Sequence, residues 1–384
     1  MDSQHQQLEP DELVRYARQI RLPSLGLAGQ QALKNSSVLI VGAGGLGSPA
    51  ATYLAAAGVG RIGIADDDRV DVTNLHRQPL HDTADIGLPK AESARARMEA
   101  LNPFVRVEAI RDRVTSENAI AIIERYDIVI DATDNFATRY LLNDACVLTG
   151  KPLVYGSVDR FEGQASVFAT KDGPCYRCLF PTPPDPGSVQ SCADAGVLGV
   201  LPGLIGTLQA TEALKLLIGL GESLAGRLLI VEALSGRFRT IEVERDPSCP
   251  ACGTREIRML IDYDEFCARR PSMTEAAATA GTISPRELSS LLNNGGAITV
   301  IDVREPYEWD IGRIPSARLM PLGTMPDAAE GIERNSDIVV YCHHGVRSDL
   351  AAQDLIDVGF RHVRNLIGGI DRWSREVDPR VPRY

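Results

Sequence analysis

The chain has no run of apolar residues long enough to cross a bilayer, and its first residues, Met1-Asp2-Ser3-Gln4-His5-Gln6-Gln7, are polar and lack a signal-peptide pattern. Basic charge is in deficit, 40 lysines and arginines against 51 acids for a net charge of −11, which argues against a nucleic-acid surface. No internal repeat is present. Eight cysteines in 384 residues do not make a secreted disulfide scaffold, and in a reducing compartment they point to metal ligation or catalysis. These absences predict a soluble, cytoplasmic protein with neither a membrane nor a direct nucleic-acid partner. The length predicts two domains, or three small ones.

What is present begins with Val38-Leu39-Ile40-Val41, an apolar run of the kind a buried parallel strand uses, leading into Gly42-Ala43-Gly44-Gly45-Leu46-Gly47. Gly42, Gly44 and Gly47 have the G-x-G-x-x-G spacing, in which missing side chains permit a tight turn and let phosphate oxygens approach a helix N-terminus. Pro49 fits the first turn of that helix, Ala50 to Ala57 propagate it and Gly58 ends it. Arg61 to Ala65 reads as the next strand, with Asp66 at its end, where a ribose-binding acid belongs. The unit is β-α-β with a nucleotide site, and it does not by itself separate NAD from ATP.

Residues 8–22 read as one amphipathic helix, with Leu13, Tyr16, Ala17 and Ile20 on one face and Arg15 and Arg18 elsewhere. A polar loop, Asp66 to Gln78, is too rich in functional groups for a mere connector. Helices are expected over Lys90–Leu101 and Asn118–Arg125, with strands over Val105–Ile110 and Ile128–Asp131. This alternation predicts an α/β fold with a doubly wound, mostly parallel sheet, its ligands at the carboxyl ends of the strands, where Asp66, Thr73 to Arg77 and Asp134 fall. Gln164–Thr170, Arg227–Val231 and Phe238–Val243 read as an antiparallel extension, with helical spacing at Leu201, Leu204, Ile205 and Leu208 between them. Pro181 to Gly187 begin a long loop. The expected boundaries are a first domain over 1–270, a linker over 271–282, and a smaller α/β domain over 283–384 that opens on a helix capped by Ser284. In that domain Ala297–Val303 and Ile338–Tyr341 read as strands, and Asp349–Val358 as a helix.

Two C-x-x-C pairs, Cys175/Cys178 and Cys249/Cys252, together supply four sulfur ligands with no open position, the chemistry of structural zinc; redox dithiols are the other reading. Cys192 stands alone after the proline-rich loop, as a nucleophile or an incidental loop cysteine. Cys342 directly follows Ile338-Val339-Val340-Tyr341 and precedes His343-His344-Gly345-Val346-Arg347-Ser348 and a helix. That order is expected to aim backbone N–H groups, a helix dipole and Arg347 at one sulfur and so favour a thiolate or persulfide. The alternative is an inert cysteine buried at a strand end.

On these residues the chain resembles two known families. Gly42 to Gly47, Asn74-Leu75-His76-Arg77-Gln78, Asp131-Ala132-Thr133-Asp134-Asn135, the cysteine pairs and Cys192 to Gly199 resemble the MoeB/ThiF, E1-like adenylyltransferases over residues 8–260. Ile301-Asp302-Val303-Arg304-Glu305, the Cys342 loop and Gly368-Gly369 resemble a rhodanese domain over 283–384, in the fused arrangement of molybdopterin-synthase adenylyltransferase/sulfurtransferases.

The resemblance implies ATP. Gly42, Gly44, Gly45, Asp66, Thr73, Leu75, His76 and Asn135 would line the nucleotide, Asn74, Arg77 and Lys90 would grip its triphosphate, and Asp134 would bind Mg²⁺. Arg18 would reach across a homodimer to the partner's ATP. The substrate would be a ubiquitin-like sulfur carrier of the MoaD/ThiS type ending in Gly-Gly, adenylated and then sulfurated to a thiocarboxylate by a persulfide on Cys342. Cys192 matches the family's thioester or acyl-disulfide cysteine. The sulfur donor would be thiosulfate or a cysteine desulfurase. Four residues separate Cys342 from Arg347, against five in phosphatases sharing the rhodanese fold, which fits a sulfur-sized substrate. The other reading of the fusion is adenylation alone, with the rhodanese domain serving a different acceptor.

Overall fold

The computed structural model describes residues 6–184, 196–268, 280–294, 298–325 and 327–383, which form two compact units, one within 6–268 and one within 280–383. The first is built on eight strands: β1 (Ser37–Val41), β2 (Arg61–Ala65), β3 (Arg106–Ile110), β4 (Ile128–Asp131), β5 (Leu153–Asp159), β6 (Glu162–Phe168), β7 (Arg227–Glu232) and β8 (Arg237–Glu242). Their order is β3-β2-β1-β4-β5-β6-β7-β8. The pairings are parallel from β3 to β5 and antiparallel from β5 to β8, the doubly wound sheet with an antiparallel extension that the sequence predicts.

In β1, successive side chains leave opposite faces of the sheet. Val38 and Ile40 enter one apolar core while Leu39 and Val41 enter the other, which is why the run is uniformly hydrophobic. The chain proceeds from β1 to β2 and β3 on one side and returns to β4 on the other, so the loops after β1 and β4 part at the carboxyl edge and leave a crevice there. Gly42 stands at this divide with φ +102°, and a Cβ built on it would lie 2.5 Å from the Ala132 carbonyl oxygen; no residue but glycine fits.

One local expectation changes, and two elements are new. Residues 8–22 form two short helices, Pro10–Arg15 and Ala17–Ile20, broken at Tyr16. Tyr16 turns inward and accepts a hydrogen bond from Asn102 Nδ2 at 2.8 Å, buried Glu12 pairs with Lys34, and Leu13 is left at the surface. Strand β5 and the helix Phe136–Thr149 were not anticipated.

The second unit is a parallel sheet in the order β11-β10-β12-β13-β9, made of β9 (Gly281–Ile283), β10 (Ile298–Asp302), β11 (Arg318–Leu319), β12 (Asp337–Tyr341) and β13 (His362–Leu366). Gly281 and Thr282, placed in the linker from sequence, instead open β9 and pair with Arg364 and Asn365. Ser284 caps the helix Pro285–Asn293 in a reciprocal box with Glu287. Along β12, Ile338, Val340 and Cys342 join one core and Val339 and Tyr341 the other, so Cys342 continues the strand's inward rhythm.

Candidate functional site

At the carboxyl edge of the first sheet, the glycine turn is held from several directions. Gly42 N–H donates to Ala65 O at 2.8 Å, Ala43 N–H donates to Asp66 Oδ2 at 2.7 Å, and Asp66 Oδ1 accepts from Asp68 N–H at 2.9 Å. Burial raises the Asp66 carboxyl above its ordinary range, against the pull of the Lys90 charge. Lys90, the first residue of the helix Lys90–Leu101, is itself buried and places its ammonium 2.8 Å from Asp68 Oδ2.

The loop after β2 comes to the same turn. A Cβ built on Gly45 would lie 3.5 Å from Arg77 O, and one on Gly44 would lie 3.5 Å from Gln78 Nε2. Within this loop Asp71 caps a short turn by accepting from the Thr73 amide and hydroxyl. Arg77 Nη1 donates to Thr73 O at 3.0 Å and lies 2.8 Å from His76 Nε2. Partial burial and the Arg77 charge lower the His76 pKa. Asn74 and Leu75 are half-buried in the same turn.

After β4, Asp131 is buried and accepts from the Thr133 amide and hydroxyl, while Asp134 is exposed at the edge. Asn135 caps the helix Phe136–Thr149 by accepting from Thr138 N–H at 2.9 Å, a structural duty that the nucleotide-binding expectation did not include. The residues present fit a nucleoside triphosphate: a glycine turn without Cβ atoms, two cationic side chains, an acid beside the turn and an exposed carboxylate. Buried Gln78 Oε1, next to Gly44, also has no hydrogen-bond partner among the described residues.

The two cysteine pairs meet. Cys175 Sγ lies 3.5 Å from Cys249 Sγ, Cys178 Sγ lies 3.4 Å from Cys252 Sγ, and all four sulfurs fall within 4.8 Å of one another. Four thiolates at zinc–sulfur bond length stand about 3.8 Å apart at the corners of a tetrahedron, so the donor set fits that ion. Asp246 N–H donates to Cys178 Sγ at 3.4 Å. The sulfur contact with neighbouring Cys175 holds the Cys178 thiol below its ordinary range. Between the first two cysteines, Arg177 forms a buried two-point pair with Asp144 at 2.8 and 2.8 Å, which ties the cluster to the helix Phe136–Thr149.

In the second unit, Cys342 is fully buried at the end of β12. Gly345 N–H donates to its Sγ at 3.1 Å, and the Ser348 hydroxyl lies 3.4 Å away. The helix Val346–Asp357 starts beside it, as expected. Arg347 also has a second partner, Glu308, which accepts from both its terminal nitrogens at 2.7 Å and offsets its charge beside the sulfur. The turn at Gly368 and Gly369 clasps the loop from below: Ile370 N–H donates to Cys342 O at 2.9 Å and Asp371 N–H to His343 O at 3.1 Å. A Cβ on Gly369 would sit 2.4 Å from both carbonyl oxygens. Arg304, with no exposed surface, is paired with Asp302 and donates to Gly312 O at 2.7 Å, tying β10 to the end of the helix Pro306–Ile311.

Cys192 lies outside the described residues. The chain is described again from residue 196, and a Cβ on Gly199 would come 2.6 Å from His76 O. Arg18 is exposed on its short helix. Sequence reasoning missed Glu308 and Asn365 around the sulfur loop and His81 beneath the glycine turn. His81 was findable, since it lies three residues beyond a motif already singled out, whereas Glu308 is 39 residues from its partner.

The ThiF family profile matches residues 16–251, and that of the rhodanese-like domain matches residues 284–376. The chain is 46% identical over 385 residues to a Mycobacterium tuberculosis protein named "Probable adenylyltransferase/sulfurtransferase MoeZ", with 98% of this chain and 96% of that one covered. It is 44% identical over 399 residues to "Adenylyltransferase and sulfurtransferase MOCS3" of Anopheles gambiae, covering 98% and 90%. It is 57% identical over 266 residues to the "Sulfur carrier protein adenylyltransferase" of Thermus thermophilus, covering 68% of this chain and 98% of that one. A crystal structure of E. coli MccB with ATP has the same fold over 62% of this chain and 73% of its own, with TM-score 0.56 at 22% identity. Among the described residues, no helix is long and apolar enough to cross a membrane.

Proposed function

The chain belongs to the ThiF family, with a rhodanese-like domain following, and on that premise we propose an ATP-dependent activation and sulfuration of a ubiquitin-like carrier protein. The carrier's terminal Gly-Gly carboxylate attacks the α-phosphate, pyrophosphate leaves, and the acyl adenylate formed is a mixed anhydride open to a nucleophile. The terminal sulfur of a Cys342 persulfide displaces AMP. A second thiol, for which Cys192 is our candidate, then attacks Sγ of Cys342, releases the thiocarboxylate and leaves a disulfide that an added thiol reductant reopens. The carrying observation is the meeting of the Gly42–Gly45 turn, Asp66 and the Arg77 loop at one sheet edge, with the Asp134 turn across the Gly42–Ala132 contact.

In this reading Gly42, Gly44 and Gly45 pass the nucleotide close to backbone, and Asp66 takes the ribose. Asn74, Arg77 and Lys90 neutralise charge building on the departing pyrophosphate. Asp134 holds Mg²⁺, which would supply further neutralisation. Zinc at the four cysteines is structural and fixes the end of the antiparallel extension. We further propose that the protein is a cytoplasmic homodimer in which Arg18 reaches the partner's nucleotide, and that thiosulfate or a cysteine desulfurase loads Cys342. We also propose that the first domain ends near residue 270 and that the second begins with β9 at Gly281.

The test is incubation of the full chain with ATP, Mg²⁺, thiosulfate and candidate Gly-Gly carriers, read by intact mass. Exchange of one terminal oxygen for sulfur supports the reading. A pocket that binds a nicotinamide dinucleotide and ignores ATP would overturn it.

A further inference from the structure

Beneath the glycine turn lies a polar chain that the nucleotide reading does not use. His81 is buried, with Nε2 2.9 Å from Ala43 O and Nδ1 2.7 Å from Ser93 Oγ. Ser93 Oγ also lies 2.8 Å from Asp85 Oδ2. A carbonyl oxygen only accepts, so Nε2 carries a hydrogen and donates it to Ala43; Ser93, whose one hydroxyl hydrogen goes to Asp85 Oδ2, meets Nδ1 through its oxygen. Burial lowers the His81 pKa, with Asp66, Asp85 and Lys90 the charged groups facing it.

The atom His81 holds is well placed to matter. The peptide between Ala43 and Gly44 is planar and trans, so its C=O and N–H point in opposite directions. Fixing the carbonyl toward buried His81 therefore fixes the Gly44 N–H in the opposite direction, away from His81. Glycines at 44 and 45 leave that peptide little intrinsic preference against flipping. Ala43 is clamped at both ends, its own N–H by Asp66 and its carbonyl by His81.

We propose that His81 is a positioning residue for nucleotide binding: through Ala43 O it sets the direction of the Gly44 amide, and Ser93 in turn sets the direction of the imidazole. This rests on the glycine turn being the ATP site. It acts on the bound nucleotide before and during the reaction alike, so it should show in KM and Kd rather than in kcat.

Two substitutions separate the contacts. In His81→Gln the side-chain amide nitrogen reaches the place of Nε2 and can still donate to Ala43, whereas in His81→Asn the amide is too short to reach it. With the full chain, ATP affinity is measured by calorimetry and adenylation by exchange of labelled pyrophosphate into ATP. His81→Asn should raise Kd and KM for ATP about tenfold with kcat within about twofold, the size of one lost hydrogen bond, and His81→Gln should stay within about threefold of the parent. Ser93→Ala, which leaves Ala43 untouched, should raise KM in the same direction as His81→Asn. Equal losses in the Gln and Asn variants, or parental affinity in both His81→Asn and Ser93→Ala, would overturn the proposal while ATP binding by the parent stood. A parent chain that fails to bind ATP would instead overturn the reading of the site, and this inference with it.

Discussion

Glu308 holds Arg347 by both terminal nitrogens, at 2.7 and 2.7 Å, and both side chains are almost wholly buried. The pair joins the start of the helix Pro306–Ile311 to the first turn of the helix behind Cys342. A buried ion pair of this kind adds modestly to stability when intact and costs heavily when half of it is removed, because the remaining charge stays desolvated. Glu308→Ala should destabilise the second unit by about 3 kcal/mol and abolish sulfur transfer from Cys342 while leaving adenylation near the parental rate. Both tryptophans of the chain, Trp309 and Trp373, belong to this unit, so their fluorescence in a denaturant titration reports it selectively. An unchanged midpoint would show that the pair does not brace the loop.

The two halves of the reaction separate by substitution. Asp134→Ala should stop pyrophosphate exchange, and with it everything downstream. Cys342→Ala should leave exchange intact and stop only the appearance of thiocarboxylate, read by intact mass of the carrier. Loss of exchange in both variants would contradict the assignment of adenylation to the first unit and sulfur delivery to the second.

The cysteine cluster makes its own forecast. Metal analysis of the purified chain should find zinc, and a strong chelator should release it and make the four cluster thiols newly reactive toward a thiol reagent. Asp144, Arg177 and Tyr263 form a buried network behind the cluster, with Tyr263 Oη donating to Asp144 Oδ2 at 2.6 Å. Chelation should therefore also loosen the helix Phe136–Thr149, measurable as faster amide exchange along it. Disulfides in place of metal, seen as thiols unreactive until reduction, would favour the redox reading.

How much of this was legible in the sequence depends on the distance over which each feature is decided. The unit from Val38 to Asp66 could be read residue by residue, since its strand, turn, helix and cap each follow from local composition. The sulfur loop was legible for the same reason, as Cys342, Gly345 and Ser348 are close neighbours. Strand β5 was not, because Gly156 and Ser157 interrupt its apolar run. Their reason lies elsewhere in the chain: a Cβ on Gly156 would strike Gln209, whose amide nitrogen lies 2.6 Å from Asp131 O. The break at Tyr16 likewise depends on Asn102, 86 residues away, turning an expected amphipathic face around. Arg347 was assigned to the sulfur because the sequence displays it beside Cys342 and gives no sign of Glu308.

The loop's histidines carry a pH dependence whose sign is fixed by burial. His343 is buried, and desolvation, helped by neighbouring His344, lowers its pKa to about 4 from an ordinary 6.5. A histidine that folds in the neutral form binds fewer protons when native than when unfolded. Its contribution is therefore complete above pH ~6.5 and is lost as the pH falls toward 4. The second unit should lose roughly 2–3 kcal/mol over that window on account of this ring alone. His344 is exposed, with 48% of its side chain open to solvent. His343→Asn removes the titrating group while keeping a shorter polar side chain, so its tryptophan-monitored stability should fall less steeply between pH 6.5 and 4 than the parent's. Parallel curves for the two proteins would mean that the ring is solvated in the native state and that Cys342 sits in a wetter loop than its burial indicates.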